Sequence, residues 1–319
     1  MTLEIVLTLT IVLLTTGFVL FRLVKSRKYF SAITKRTASV AILNDVGTVK
    51  CPNPNCARCH HKRRLQQMAR QRLSELVQNG TLPANKIRRI YTALFSKINE
   101  LSGSQYILKV YGIKSQPVWT QNDLPNHLVN CLRYLESNAA VIWAECRSVM
   151  NDTEALSLWT INDTPNGTWR TFKLIDQGVF NGSQCSKYCP RTATILRTDR
   201  LRKSLCTSSL FGNALFSVVH AGSNIEPHYG STNVRLRCHL GLQVPKDISQ
   251  SQMTISSEIV SWELNKCTVF DDSYLHSVIV AHTAMPSERA VFLVDFWHPD
   301  LTEFETQCLE LLFPPMQRL

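Results

Sequence analysis

Residues 226–242 read EPHYGSTNVRLRCHLGL, and the interpretation of the whole chain depends on this stretch. His228 is followed two positions later by Gly230, where a site built from two histidines and one carboxylate would have an acidic residue. From residue 233 onward apolar and polar residues alternate, which predicts a β-strand with two different faces. The two faces carry Val234, Leu236, Cys238, Leu240 and Leu242, and Asn233, Arg235, Arg237, His239 and Gly241.

The polar face of this strand allows two interpretations. Two arginines and a histidine are costly to bury unless an anion lies between them. A solvent-exposed sheet surface tolerates the same pattern, and this strand alone slightly favours that second interpretation.

A second stretch favours the buried, anion-binding interpretation. It reads TVFDDSYLHSVIV at 268–280, followed by ERAVFLVDFWHPD at 288–300. His276 begins one apolar run and Arg289 begins the next. Within the later run, Arg289 shares a strand face with Val291, Leu293 and Asp295. An arginine at the start of a hydrophobic strand is typical of a buried cation that binds a carboxylate.

These stretches resemble the aspartyl/asparaginyl β-hydroxylase family of Fe(II)/2-oxoglutarate oxygenases, and in particular its short membrane-anchored members. The similarity runs from YGIKSQPVW (111–119) through FSVVHAGSNIEPHYGSTNVRLRCHLGL (216–242) and FDDSYLHSVIV (270–280) to VFLVDFWHPDL (291–301). It implies a mainly β fold, a double-stranded β-helix of the jelly-roll or cupin-like type with flanking helices.

Carried over position by position, the resemblance implies that His228 and His276 are the ligands of Fe(II). It assigns Arg289 and Ser217 to the distal carboxylate of the co-substrate 2-oxoglutarate. It assigns Arg237 and His239 to the carboxylate nearer the metal.

The family has glycine at the carboxylate position, and Gly230 matches it, so the gap in the opening motif is the family's own pattern. Two acids lie nearby in the sequence, Asp271 and Asp272. Contacts from these acids can support a metal site from outside the ligand set. The alternative is that they cap a turn, which we favour for Asp271.

The function implied by the resemblance is an Fe(II)- and 2-oxoglutarate-dependent dioxygenase that hydroxylates protein side chains. In the family the target is the β-carbon of Asp or Asn in EGF-like domains. Two alternatives are a non-catalytic module that binds metal and 2-oxoglutarate on the same fold, and a membrane-surface scaffold that works through basic helices. Retention of His228, His276 and Arg289 favours the enzyme.

The N-terminus contains an uncharged apolar stretch of 17 residues, Ile5 to Phe21, which is at the short end of the length that spans a bilayer as a helix. The start of the chain lacks the positive charge of a signal peptide. We therefore expect a transmembrane anchor with a basic flank at 1–29, and a single-pass membrane protein.

The orientation of this anchor is contested within the sequence. The basic residues Arg22, Lys25, Arg27 and Lys28 favour a cytoplasmic flank. Five N-x-Ser/Thr sequons favour a lumenal domain in the secretory pathway, and they lie at Asn79, Asn151, Asn162, Asn166 and Asn181. We expect the lumenal placement, in the endoplasmic reticulum or a later secretory compartment, with the chain a glycoprotein.

The segment 30–103 is basic and contains cysteine. Residues 1–100 hold 17 Lys and Arg against 4 Asp and Glu, so the net charge of +11 belongs to the N-terminal third, and we expect no nucleic-acid partner. The cluster Cys51, Cys56, Cys59, His60 and His61 has one close cysteine pair and no second one. It leaves zinc, local disulfides and lipidated thiols open.

Helical periodicity extends over 60–77 and 84–101, with a loop at NGTLP (79–83), and predicts a helical hairpin with a basic face. We favour a solvated face over attraction to anionic lipids. A boundary at LSGSQ (101–105) separates this segment from the oxygenase domain at 104–319, where helices are expected within 123–149 among short strands. Cys185 pairs with Cys189, or Cys206 takes one of them, if the domain is lumenal; Cys238 is expected to be a buried thiol.

Overall fold

The computed structural model describes residues 56–95, 106–162, 164–282 and 288–316. Its strands are β1 (Val118–Trp119), β2 (Thr160–Asn162), β3 (Trp169–Asp176), β4 (Val179–Phe180), β5 (Ala214–Val219), β6 (Asn224–His228), β7 (Arg235–Gln243), β8 (Ser251–Ile255), β9 (Glu258–Val260), β10 (Cys267–Phe270), β11 (His276–Val280) and β12 (Arg289–Trp297). Its α-helices are α1 (Ala57–His60), α2 (Lys62–Gln78), α3 (Arg88–Phe95), α4 (Asn126–Ser137), α5 (Ala139–Asn151), α6 (Gly182–Tyr188), α7 (Pro190–Arg197), α8 (Asp199–Arg202) and α9 (Glu303–Leu312).

The strands form two antiparallel sheets. The larger sheet has the order β1-β10-β7-β12-β5-β3-β2, with β4 paired to β3, and the smaller has the order β6-β11-β8-β9. From β5 to β12 the chain passes back and forth between the sheets, as it does in a jelly roll. The prediction of a mainly β fold is confirmed.

An apolar layer fills the space between the two sheets. The larger sheet contributes Val219, Phe270 and Val291, and the smaller contributes Ile225, Met253, Ile255, Val278 and Val280. Because side chains alternate along a strand, the polar positions of β7 and β12 point into this same interior. The functional residues therefore lie between the sheets.

Helices cover the opposite face of the larger sheet. The helices predicted within 123–149 are present as α4 and α5, and their apolar sides pack on Leu236, Cys238 and Leu240 of β7. Cys238 is fully buried, as predicted. Each leucine buried in this layer stabilises the fold by about 2 kcal/mol relative to an exposed one.

The helical hairpin predicted near the N-terminus is present as α2 and α3, joined through the loop at 79–83 and a short 3-10 helix, Ala84–Lys86. Its apolar face does not form a separate unit. Leu73 and Ile90 are buried in one cluster with Leu309 of α9 and Trp297 of β12. The boundary predicted near 104 therefore does not separate two cores, because periodicity shows that a helix has an apolar face and not what that face packs against.

The basic face of the hairpin is also more than a solvated surface. Arg89 donates to both carboxylate oxygens of Glu305, which is only 3% exposed, and to the carbonyl oxygens of Gly112 and Asp300. Arg72 donates to the carbonyl oxygen of Leu311 at 2.9 Å. These contacts of Arg89 and Arg72 thus attach the hairpin to the C-terminal helix.

Several sequence predictions concern residues that the structure does not describe. The span at Ile5–Phe21, its basic flank and Cys51 all lie outside the described residues. Within the described ranges, no helix has both the length and the apolar composition needed to cross a bilayer.

The disulfides expected among Cys185, Cys189 and Cys206 are absent from the structure, where these three residues are free thiols. Cys185 lies in α6 and its thiol contacts the carbonyl oxygen of Leu174 at 3.7 Å. Cys189 and Cys206 are fully buried, and burial raises the pKa of both thiols well above the ordinary value. Cys189 caps the C-terminal end of α6 one turn after Cys185, and Cβ atoms one turn apart on a helix are farther apart than a disulfide spans. The expected pairing of Cys185 with Cys189, or of Cys206 with one of them, is not found in the structure.

Candidate metal and co-substrate site

Two histidines meet at the edge of the smaller sheet. His228 ends β6 and His276 begins β11, and the strand register places them directly opposite each other. Their ring centroids are 4.1 Å apart. The two residues are far apart in sequence, yet antiparallel pairing makes them cross-strand neighbours.

Backbone carbonyl groups orient both rings in the same way. The Nδ1 atom of His228 donates to the carbonyl oxygen of Glu226 at 2.8 Å, and Nδ1 of His276 donates to that of Tyr274 at 2.8 Å. This contact places the proton on Nδ1 and the lone pair on Nε2. Metal-bound histidines are usually held by such a bond from the other ring nitrogen. The pair has the chemistry of two neutral metal ligands.

The position of the absent carboxylate is occupied by a different residue. A Cβ atom on Gly230 would lie 2.5 Å from Cγ of Asp272, so the Asp272 carboxylate fills the space that a side chain at 230 would need. The amide of Gly230 also donates to the carbonyl oxygen of Asp272 at 2.6 Å. Among the described residues, no three His, Cys, Asp or Glu side chains are grouped to hold a metal. The structure therefore offers two protein ligands.

Asp272 is the centre of a buried network of charges. Arg235 donates to it at 2.6 Å and Arg237 pairs with it at 2.9 Å. Both arginines also bind Asp295, at 3.1 Å and 2.9 Å. Although burial opposes ionisation, the two guanidinium groups hold the pKa of Asp272 well below its usual range.

This network answers the question raised by the polar face of β7. The interpretation as an exposed face was wrong for Arg235, which is 5% exposed, and the anions that balance the arginines are the protein's own Asp272 and Asp295. Arg237, assigned by resemblance to the co-substrate, has all three guanidinium nitrogens in contact with these two acids. Sequence reasoning placed Asp295 on the correct face but missed its pairing.

Arg289 is also buried, but it has no acidic partner among the described residues. It is 1% exposed, and its Nε and Nη1 atoms have no hydrogen-bond partner. No described carboxylate pairs with it, and desolvation lowers its pKa to about 9. The guanidinium lies over the ring of Trp262, 4.5 Å from the centroid. A buried, unpaired cation of this kind indicates a space that an anion is meant to fill.

Three further polar side chains lie near or face the interior that holds Arg289. Trp262 donates from Nε1 to Nδ1 of His239 at 3.2 Å, so the proton of His239 is on Nε2, which is buried and has no partner. Burial and the nearby arginines lower the pKa of His239, which keeps it neutral. Ser217 lies opposite Val291, two residues from Arg289, and Ser251 has a buried hydroxyl without a partner. No sequence pattern indicated that Trp262 or Ser251 would lie here.

Trp262 reaches the interior because of Gly241. The carbonyl oxygen of Glu263 approaches Gly241 so closely that a Cβ atom there would overlap it. The Gly241 amide donates to the carbonyl oxygen of Lys266 at 3.0 Å, which fixes the turn that carries Trp262 inward.

A continuous series of ring contacts joins the histidine pair to Arg289. The centroid of His276 is 6.0 Å from that of Phe270, which is 4.9 Å from His239; His239 is 6.1 Å from Trp262, over which Arg289 lies. The structure thus brings His228, His276, His239, Ser217 and Arg289 to one interior, with Arg237 at its charged side.

Asp271 lies in the turn between β10 and β11. Its Oδ1 accepts from the amide of Ser273 at 2.9 Å, which confirms the predicted capping role. Burial raises the pKa of Asp271 to about 7.

Comparison with known proteins gives consistent results. The family described as aspartyl/asparaginyl beta-hydroxylase matches residues 136–299, which include every site residue named above. Aspartate beta-hydroxylase domain-containing protein 2 of Mus musculus is 34% identical over 276 residues, covering 84% of this chain and 77% of the relative. Aspartyl/asparaginyl beta-hydroxylase of Homo sapiens is 34% identical over 204 residues, covering 64% of this chain and 25% of the relative. A Pseudomonas putida prolyl-4-hydroxylase superposes over 50% of this chain and 87% of its own with 14% identity and a TM-score of 0.33.

Proposed function

This chain belongs to the aspartyl/asparaginyl β-hydroxylase family, and from that premise we propose that it is an Fe(II)- and 2-oxoglutarate-dependent dioxygenase of protein side chains. The observation that carries the proposal is the buried, unpaired guanidinium of Arg289, which shares one interior with two opposed histidines. A dicarboxylate would pair with Arg289 through one carboxylate, and a metal ion held by the two histidines would take the other.

The residues present fit both groups. His228 and His276 would hold Fe(II) through Nε2, because Nδ1 of each ring is already bonded to a carbonyl oxygen. Iron bound with 2-oxoglutarate supplies the oxidising power for inserting oxygen from dioxygen into a C–H bond.

The distal carboxylate of 2-oxoglutarate would bind Arg289, whose buried Nε and Nη1 atoms both have N–H groups left to donate. The Ser217 hydroxyl accepts from Trp169 Nε1 at 3.1 Å, which leaves its proton to donate to the same carboxylate. Nε2–H of His239 would donate to the carboxylate nearer the metal. Arg237 is anchored by Asp272 and Asp295, so its contribution there is a fixed positive charge.

The substrate class belongs to this proposal as well. By family precedent the target is the β-carbon of Asp or Asn in EGF-like domains, and the chain would reach it as a membrane-anchored enzyme. The anchor at 5–21 and the lumenal placement stay predictions. The free thiols of Cys185, Cys189 and Cys206 suit a reducing compartment and thus favour the opposite, cytoplasmic placement.

The alternative is a module that binds metal and 2-oxoglutarate without turnover. Succinate formation by the full chain with Fe(II), 2-oxoglutarate and a peptide from an EGF-like domain separates the two functions. His228→Ala and His276→Ala should each abolish both succinate formation and binding of Mn(II), which serves as a redox-inert probe. His127→Ala changes an exposed histidine on α4 and should alter neither.

These measurements distinguish the enzyme from the non-catalytic module. Binding of Mn(II) and 2-oxoglutarate without succinate, across a panel of peptides, would support the non-catalytic module. Unchanged Mn(II) binding in either histidine variant would refute the assignment of the metal ligands.

A further inference from the structure

Helix α3 has an exposed side that the oxygenase site does not use. Its residues Ile90, Ala93 and Leu94 are buried in the shared core. On the opposite side, Tyr91 is 45% exposed and Phe95 is 42% exposed. A soluble helix normally has polar residues on this side, so the helix is apolar on two faces.

The two exposed aromatic rings act as one feature. Tyr91 and Phe95 are one helical turn apart, and their ring centroids are 4.7 Å apart. Arg88 is exposed and lies three positions before Tyr91, so it is on the same side of the helix. We call Arg88, Tyr91 and Phe95 the docking stripe.

The surroundings of the docking stripe are strongly positive. Residues 56–95 contain nine Lys and Arg and one acid, Glu75. Arg70, Arg72 and Arg89 bind groups within the protein, and Lys86 lies over the ring of Phe304. Arg63 and Arg88 are exposed. Charge remains at the surface beside the aromatic pair after the internal contacts are counted.

Aromatic rings with neighbouring Lys or Arg are the side chains that accumulate at the headgroup level of a bilayer. Each basic side chain near an anionic surface contributes about 1 kcal/mol, or about fivefold in affinity. The chain before residue 56 contains the apolar stretch predicted to span a membrane, and the 34 residues 22–55 separate the two. The sequence thus predicts a bilayer no more than 34 residues along the chain from residue 56.

We propose that the docking stripe of α3 binds the surface of a bilayer that contains anionic lipids, with Tyr91 and Phe95 at headgroup level and Arg88 on the lipid phosphates or carboxylates. The proposal does not depend on the hydroxylase activity. Anionic headgroups are concentrated in the cytoplasmic leaflet, so the proposal agrees with the orientation that the basic flank favours and competes with the one that the sequons favour.

Hydroxyl-radical footprinting of the full chain tests the proposal at these side chains. The chain is mixed with vesicles of phosphatidylcholine alone or of phosphatidylcholine with phosphatidylserine, and oxidation of Tyr91 and Phe95 is quantified by mass spectrometry. Tyr111, which is 44% exposed, serves as the internal control. We expect oxidation of Tyr91 and Phe95 to fall several-fold with phosphatidylserine only, and Tyr111 to be unchanged.

Arg88→Glu reverses the charge beside the rings, and Arg133→Glu makes the same change at an exposed position of α4. The first variant should restore oxidation in phosphatidylserine vesicles, as should high salt, and the second should not. Equal oxidation in both vesicle types would overturn the proposal. So would protection of the rings by soluble polyglutamate at phosphatidylcholine vesicles, since that identifies the partner as an acidic polypeptide.

Discussion

The carboxylate of Asp272 lies in the space directly beside Gly230, where a side chain at position 230 would have to be. Glycine at this position is therefore a packing requirement as well as a missing ligand. The acid that could have served the metal is instead held by Arg235 and Arg237.

Gly230→Asp tests this relationship. The new carboxylate would be forced against Asp272, so we expect a loss of stability of about 2–4 kcal/mol and no gain in Mn(II) affinity. Chemical denaturation and calorimetric titration measure the two quantities. Tighter Mn(II) binding by the variant would show that the site accepts a third protein ligand.

The two buried arginines Arg235 and Arg289 should respond in opposite ways to the same substitution. Arg235→Met leaves Asp272 and Asp295 without one of their partners, and we expect destabilisation of about 3–5 kcal/mol. Arg289→Met removes a charge that lacks an acidic partner, so the ligand-free protein should become more stable by about 1–3 kcal/mol.

Thermal denaturation with and without 2-oxoglutarate and Mn(II) completes this test. The parent protein should gain stability from 2-oxoglutarate, and Arg289→Met should lose that gain. Retention of the gain would contradict the assignment of Arg289 to the co-substrate.

Asp271 should make stability depend on pH. Its pKa is about 7 in the folded protein, against an ordinary value of 3.8. The unfolded chain therefore loses this proton first, and the carboxyl group destabilises the fold increasingly as pH rises from about 4 to about 7.

Asp271→Asn keeps an oxygen for the Ser273 amide and removes the charge. We expect a higher melting temperature than that of the parent near pH 8, with at most about 4 kcal/mol of stabilisation, and no difference near pH 4. Asp152→Asn, which alters a less buried turn cap, is the control. A stabilisation that is equal at both pH values would rule out the titration.

The ion pair between Arg89 and Glu305 should couple the hairpin to the oxygenase core. A double-mutant cycle with Arg89→Ala and Glu305→Gln should give an interaction of about 1–3 kcal/mol. The exposed pair Arg202–Asp199 should give less than about 0.5 kcal/mol. An interaction as small as that of the exposed pair would mean that this ion pair does not couple the hairpin to the core.

Glycan mapping tests on which side of the membrane the oxygenase domain lies. Asn79, Asn151 and Asn166 are exposed, whereas the side-chain amides of Asn162 and Asn181 donate to Thr171 Oγ1 and the carbonyl oxygen of Lys173. In a lumenal domain we expect endoglycosidase-sensitive glycans at the three exposed sites and none at the other two. No shift at any site would contradict the lumenal placement.

Periodicity was sufficient to predict much of the fold. Alternation assigned the two faces of β7 correctly, and helical spacing located α4 and α5, because burial of one face imposes its period on the sequence. The positions of His228 and His276 followed from a resemblance, and their pairing across two strands became visible only in the register.

The remaining features depend on contacts between distant segments. A pattern shows that Arg237 points into the interior but not that Asp272 and Asp295 meet it there. In the same way, the apolar face of α2 gave no indication that it would pack on α9. No sequence pattern predicted Trp262 in the site, because its position depends on how closely one turn approaches Gly241.

The charges of Arg235, Arg237, Asp272 and Asp295 cancel one another inside the protein. Arg289 is left as an excess of one positive charge between the sheets. A divalent cation entering alone would add to that excess, and a dianion entering alone would turn it into an excess of one negative charge. Filling the interior is thus electrically easiest when the two arrive together, so each should raise the affinity of the protein for the other.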